Sequence, residues 1–284
     1  MKEKFSTKAR TLASLRGKLR QSQVLPLWFF TVRKWKENSE SCLNSIREEL
    51  EGDCFIVRSS CRREDGADSS NAGAFLSLAN VSRKELERSI IKVIDAYGEA
   101  DLDDEVLVQP MLQNVIRSGV AFSHDPNTCS PYRVINWVEG GDTFAVTGGL
   151  GGKVWQHAAS SPVDPPEHLS EVFAALDELY GLFGEKPLDC EFAMTSQGGE
   201  ELLWLLQARP LVLTSDLCSS SDQRERLNLI SERVNRGMQP HPFLMGRRTV
   251  YGVMPDWNPA EIVGVRPKPL ALSIYRELIT DNIW

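Results

Sequence analysis

The sequence predicts an α+β protein with a mainly antiparallel sheet. Helix and strand periods alternate along its first two thirds, the strand-length pieces are separated by glycine and Asp-Pro turns, and a hairpin pattern closes this region at 189–210. Asn38 to Leu50 reads as a helix, with Leu43, Ile46 and Leu50 on one face and Gly52 as its stop, and Cys54 to Val57 follows as a short buried strand. Ser82-Arg-Lys-Glu85 is a capping box, after which Leu86, Ile90, Val93, Ile94 and Tyr97 recur at helical spacing. Glu105 to Met111, Val115 to Phe122, Tyr132 to Val138 and Lys153 to His157 are strand-length pieces of one sheet. Asp164-Pro-Pro-Glu167 is expected to start a helix capped by Asp164, with Leu169, Val172, Phe173, Leu176, Leu179, Tyr180 and Phe183 as its stripe and Gly184 as its end. A Ser-rich break at Cys218 to Ser221 precedes a polar helix from about Gln223 to Asn235 and a Pro-containing tail.

Composition narrows the function classes. At 284 residues the chain has room for one large or two small domains, and 42% hydrophobic with 25% charged residues is a globular composition. No apolar run approaches the ~20 residues of a bilayer span, so no membrane partner is expected. Thirty-two Lys plus Arg against 39 Asp plus Glu leave net charge −7 and no cationic field for nucleic acid, so local clusters must bind any anion. The six cysteines at 42, 54, 61, 129, 190 and 218 form no C-x-x-C pair, and the charged N-terminus lacks an apolar leader; both point to a reducing, cytoplasmic setting.

The hairpin concentrates the polar chemistry. With a three-residue loop centred on Gly199, Glu191 faces Gln207 and Asp189 faces Arg209, while Leu188, Cys190, Phe192, Met194, Leu202, Trp204, Leu206 and Ala208 form an apolar face. Two carboxylates on alternate positions of one strand repel unless a cation lies between them. Mg²⁺ favours such oxygens, so Glu191 and Gln207 are candidate metal ligands and Arg209 a candidate phosphate contact. The other reading of the same residues is a cross-strand Asp189–Arg209 salt bridge. Arg58 ends a buried strand, Glu64 to Gly73 is a small polar loop whose amides and hydroxyls suit phosphates, and Val106 to Met111 is an apolar strand whose end suits an adenine edge. A solvated turn and a core strand are the plain alternatives for the last two.

In this order, Val57-Arg-Ser-Ser60, Glu64-Asp65 through Ser70-Asn-Ala-Gly73, Val108-Gln-Pro-Met111, Ser118-Gly-Val-Ala-Phe122 with Asp125-Pro126, Pro187-Leu-Asp-Cys-Glu191 and Leu206-Gln-Ala-Arg-Pro210 resemble the nucleotide-binding domain of the phosphoenolpyruvate synthase and pyruvate phosphate dikinase family. Lys8-Ala-Arg-Thr-Leu with Val24-Leu-Pro26 resembles the family's opening, and together the stretches cover most of residues 8–215. The resemblance implies an ATP-grasp fold with subdomains at 1–104 and 105–217 and a helical linker at 218–284. It further implies that Lys8 and Arg58 hold phosphates, that Ser70 and Gly73 belong to the loop over them, and that Gln109 to Met111 line an adenine pocket. Glu191 and Gln207 would hold Mg²⁺, with Asp189 and Arg209 at the transferring phosphates. The implied activity is a phosphotransferase that uses Mg·ATP to phosphorylate a histidine on a separate domain or chain, for transfer to a small metabolite or surface-glycan precursor. The alternatives are a non-catalytic nucleotide-binding subunit and an ATP-grasp carboxylate–amine ligase.

The chain also departs from the family pattern. Where an arginine often precedes the adenine strand, Tyr97 to Asp104 is acidic, and Thr147 to Val154 lacks the residues of a P-loop. His124, His157, His168 and His241 lack the glycine-rich setting of a phosphohistidine. Met254 to Glu261 and Arg266 to Leu272 resemble the linker of capsule glutamine-kinase-type enzymes, and the apolar helical ending at Tyr275, Leu278, Ile279 and Ile283 without a stop signal suggests the front part of a longer enzyme.

Overall fold

Alternation of apolar and polar positions produces two sheets with a helical layer on each. The computed structural model describes residues 2–61, 76–98, 101–140, 152–213, 219–243, 245–251 and 267–280. In chain order the elements are α1 (Lys8–Leu15), β1 (Gln23–Val24), β2 (Trp28–Thr31), α2 (Val32–Glu37), α3 (Ser39–Glu49), β3 (Cys54–Ser60), β4 (Ser77–Ser82), α4 (Leu86–Asp95), β5 (Glu105–Pro110), β6 (Val115–Phe122), β7 (Tyr132–Glu139), β8 (Lys153–Ala158), α5 (Ser170–Leu182), β9 (Leu188–Gln197), β10 (Glu200–Pro210), α6 (Ser220–Gly237) and α7 (Pro269–Tyr275). The fold is α+β. One sheet runs β2-β5-β3-β4 and is antiparallel; the other runs β1-β10-β9-β6-β7-β8 and is antiparallel except for the short parallel pair β1–β10. The chain forms two compact units, Met1–Leu227, which contains both sheets, and Asn228–Trp284, in which Tyr251 Oη donates to the Arg233 carbonyl at 3.2 Å. No helix among the described residues is long and apolar enough to cross a membrane.

Local signals placed most ends. Asn38 caps α3, its Oδ1 accepting from Ser41 N at 2.9 Å, and Ser82 and Glu85 form the reciprocal capping box that leads through a 3-10 turn into α4. The helix expected from Asp164 starts later, with a 3-10 turn at Glu167–Leu169 and then α5. The cause is steric. Each residue before a proline is driven out of the α region, so Asp164 and Pro165 stay extended, and Asp164 lies too far upstream to cap.

The strand at 105–110 departs from the expected single sheet. It begins at Glu105, where the sequence reading starts its second subdomain, yet it pairs with β2 and β3 of the four-stranded sheet. Only four residues separate it from β6. The Met111 amide donates to Cys54 O at 2.9 Å, and Asn114 takes a left-handed φ of 56° that redirects the chain into the other sheet. Val106 and Val108 pack into a core with Phe55, Val57, Ile46, Ile90 and Val93, whereas Leu107 packs into the second core with Leu12, Leu15, Leu176, Leu179 and Leu205. Burial on both faces explains the consecutive apolar residues Val106, Leu107 and Val108 in β5.

A buried polar cluster anchors the start of β9. Ser123 and Leu188 exchange two bonds, Ser123 N to Leu188 O at 2.9 Å and Leu188 N to Ser123 Oγ at 2.8 Å. Arg133 donates to Ser123 O at 2.6 Å and to Asp177 Oδ1 at 2.7 Å, and its guanidinium lies 4.7 Å from the Tyr180 ring centre. His124 is buried beside Tyr180. Burial, aided by Arg133, lowers its pKa from 6.5 to about 4. Between these values the unfolded chain binds a proton that the folded chain refuses, so this contribution is complete above pH 6.5 and disappears as pH falls toward 4. Its size is up to about 3 kcal/mol. Thermal unfolding should therefore show a smaller drop in Tm from pH 7.5 to 5 for His124→Asn than for the wild type; equal drops would contradict the assignment.

Candidate functional site

The site is assembled by a hairpin whose register depends on two irregularities that compensate. Gln197 pairs with Glu200 across a two-residue turn, in which Gly198 and Gly199 both take positive φ (62° and 92°) as the tight hairpin turn requires. A regular ladder from that turn would be offset by one residue from the expected three-residue loop. A β-bulge at Leu206 absorbs the offset, and beyond it Glu191 pairs with Gln207 and Asp189 with Arg209, as expected.

The bulge changes which residues share the polar face. Before it, Leu203 and Leu205 enter the core; after it, Ala208 does. Leu202 and Trp204, expected on the apolar face with Leu206, instead lie on the side of Glu191 and Gln207. Trp204 Nε1 donates to Thr195 Oγ1 at 2.9 Å along that side. Sequence reasoning missed Trp204 and the Leu206 carbonyl because Leu202 to Leu206 is apolar throughout and carries no alternation to mark a bulge.

Arg58 reaches this face from β3. Its Nη2 donates to Glu191 Oε2 and Gln207 Oε1, both at 3.2 Å, and its Nη1 donates to the carbonyl of bulged Leu206 at 3.3 Å. Burial alone would raise the Glu191 pKa. The cationic Arg58 and Lys8 outweigh it and hold the carboxyl below the usual range. Lys8, itself buried, is the first residue of α1. That helix is pinned to the four-stranded sheet by Ala9 N donating to Ser60 Oγ at 2.9 Å, Thr7 Oγ1 to Glu105 Oε2 at 2.5 Å and Arg10 Nε to Glu105 Oε1 at 2.6 Å. Glu105 thus ties the residues on both sides of Lys8 to the four-stranded sheet, a contact no motif announced.

Asp189 and Arg209 form the cross-strand ion pair, with Arg209 Nε at 2.8 and 3.1 Å from the two carboxylate oxygens and Nη2 at 2.9 Å from one. Burial raises the Asp189 carboxyl and Arg209 draws it back only in part. Gln109, 1% exposed, lies diagonally across the β3–β5 ladder from Arg58, on the same face. Its Nε2 and the Nε of Arg58 are buried donors without a hydrogen-bond partner. Met111 is half-buried and its amide is engaged by Cys54. Ser70 and Gly73 lie outside the described residues, as does most of the Thr147 to Val154 stretch. Among the described residues no group of three His, Cys, Asp or Glu gathers as a metal site.

No protein-family model and no curated protein matches the sequence. Among solved structures, the chain is similar to a D-alanine–D-alanine ligase from Helicobacter pylori, at 13% identity and TM-score 0.40 over 78% of this chain and 60% of the other. It is also similar to the biotin carboxylase domain of 2-oxoglutarate carboxylase from Hydrogenobacter thermophilus, at 12% identity and TM-score 0.42 over 74% and 40%. A third is the dinucleotide-forming acetyl-coenzyme A synthetase 1 of Ca. Korarchaeum cryptofilum, at 12% identity and TM-score 0.44 over 73% and 93%. The chain thus spans 60% and 40% of the first two in length. With TM-scores below 0.5, these likenesses assign no residue role or reaction to it.

Proposed function

We propose that this face binds Mg·ATP in an ATP-grasp arrangement and directs its terminal phosphoryl group to an acceptor, with a histidine on a separate domain or chain as the first acceptor. The observation that carries the reading is the pair of buried, unpartnered donors, Arg58 Nε and Gln109 Nε2, on one face with buried Lys8 nearby. An unsatisfied buried donor costs about 1–3 kcal/mol, and a ligand rich in acceptor atoms removes that cost on binding. Polyphosphate oxygens suit Arg58 and Lys8, and a purine ring nitrogen or ribose oxygen suits Gln109. Glu191 and Gln207 fit Mg²⁺ because their oxygens already converge on a cation, the Arg58 guanidinium. When bound there, the metal would neutralise phosphate charge. Arg58 and Lys8 orient the phosphates, and the Asp189–Arg209 pair holds the end of the hairpin rigid. The transferring step then depends on positioning and charge rather than on covalent work by these side chains. In this reading the four-stranded and six-stranded sheets are the two halves of the grasp.

The test is calorimetric titration of ATP with Mg²⁺ present. Arg58→Ala and Glu191→Ala are each expected to weaken binding about tenfold to a hundredfold, the loss of one charge-assisted contact. Wild-type affinity in both variants would refute the reading. Radiolabel transfer from ATP to an added phosphohistidine domain supports the histidine acceptor, whereas ADP release that depends on an amino acid supports a ligase.

A further inference from the structure

Arg58 occupies the oxygens that the proposed metal needs, and an inference resting on the nucleotide reading follows from this. The guanidinium lies 3.2 Å from Glu191 Oε2, 3.2 Å from Gln207 Oε1 and 3.3 Å from the Leu206 carbonyl, so three acceptors of the β9–β10 face converge on one cation. Arg58 is 11% exposed and Glu191 24% exposed, which keeps solvent screening of this contact low. A guanidinium and a divalent ion cannot share those oxygens, because the two like charges would sit within a few ångströms of each other in a poorly hydrated place. The same Arg58 still has one unused buried donor, Nε, and lies on the face of the four-stranded sheet that also presents the unpartnered Gln109 Nε2. It therefore keeps one buried donor unsatisfied beside those that are used.

We propose that Arg58 is a latch on the cation site. In the nucleotide-free protein it closes Glu191 and Gln207 to divalent metal, and the phosphates of an incoming nucleotide draw it off, freeing those oxygens for the metal. Phosphate offers the guanidinium two oxygens at once with higher charge than a carboxylate–amide pair, so the exchange is favourable for Arg58, and the vacated carboxylate then requires a new cation. Binding is consequently ordered: nucleotide binds without metal, whereas metal does not bind without nucleotide. The bulge at Leu206 belongs to the device, since its carbonyl holds the closed position.

The experiment uses Mn²⁺ as the probe, with free Mn²⁺ followed by electron paramagnetic resonance, on the wild-type chain and on Arg58→Gln. Without nucleotide, Arg58→Gln is expected to bind Mn²⁺ about tenfold or more tightly than the wild type, and Glu191→Ala introduced into that variant should abolish the gain. Equal affinity in the two proteins, or no Mn²⁺ binding by either, overturns the latch. A second arm needs no variant: wild-type protein titrated with ATP in excess EDTA should bind, and a strict metal requirement for ATP, or tight Mn²⁺ binding by the nucleotide-free wild type, also overturns it. Failure of the nucleotide reading itself has a different signature, since ATP then binds neither with metal nor without it.

Discussion

Replacing Asp189 by alanine is expected to lower stability by about 3 to 5 kcal/mol, enough to remove most of the margin of an ordinary domain. The carboxylate accepts three short contacts from Arg209 and is 6% exposed, so its removal leaves a mostly buried guanidinium on the polar face of the hairpin with its main partner gone. The size of the effect is not the worth of the pair. Burial already raises the Asp189 carboxyl, which means that its ionised form is less favoured in the folded chain than in the unfolded one. By linkage this group contributes stability below its unfolded pKa and loses it as pH rises through the folded value. Breaking one side of the pair is what costs, because it leaves the other charge without its partner. Urea unfolding of Asp189→Ala, Asp189→Leu, Arg209→Met and the double variant Asp189→Leu/Arg209→Met decides it: the double variant should recover most of the loss, and a double variant equal to the sum of the Asp189→Leu and Arg209→Met effects would contradict the argument.

Gly119→Ala should be about as damaging, for a reason of space rather than charge. A Cβ at this position would stand 2.1 Å from the Asn136 carbonyl oxygen and 2.9 Å from Trp137 Cα, both backbone atoms of β7 that cannot rotate away. The strand pair β6–β7 must open locally, which breaks ladder bonds and displaces Val120, the residue paired with Glu191 in β9. A loss of about 3 kcal/mol or more follows, above the usual range for an overpacked core. Gly198→Ala provides the contrast, since open space surrounds it and only its left-handed φ of 62° resists; it should cost about 1 kcal/mol. Thermal unfolding of both variants measures the difference, and a Gly119→Ala protein as stable as Gly198→Ala would show that the β6–β7 spacing gives way more easily than stated.

Much of the hairpin was legible because charge placement in a strand has few solutions. A one-residue slip would push Asp189, Glu191 or Arg209 into the apolar layer, so alternation places these residues and Gln207 on one face, and the pairs Glu191–Gln207 and Asp189–Arg209 came from the assumed loop length, whose offset the bulge cancels. The same argument could not see how the register is achieved. Gly198-Gly199 permits both a two-residue and a three-residue turn, and an all-leucine-and-tryptophan stretch tolerates either face, so the bulge at Leu206 and the turnover of Trp204 had no local signature. The sheet membership of β5 was hidden similarly. A strand buried on both faces, its polar Glu105 and Gln109 included, has no solvent side to indicate its neighbour, and the amide of Met111 and the left-handed Asn114 direct it.

Local chemistry settled where helices cap and stop, which positions alternate, and that two carboxylates need a cation between them, because these depend on residues a few positions apart. It did not settle that each carboxylate takes a cation of its own, Arg209 for Asp189 and Arg58 for Glu191. That choice belongs to the packed chain, where β3 carries Arg58 across to a strand more than 130 residues downstream and the bulge turns a carbonyl toward it. Contacts over such separations are selected by how two sheets meet, and their geometry follows from the packing of Leu107, Leu12 and Leu205 between them rather than from any motif.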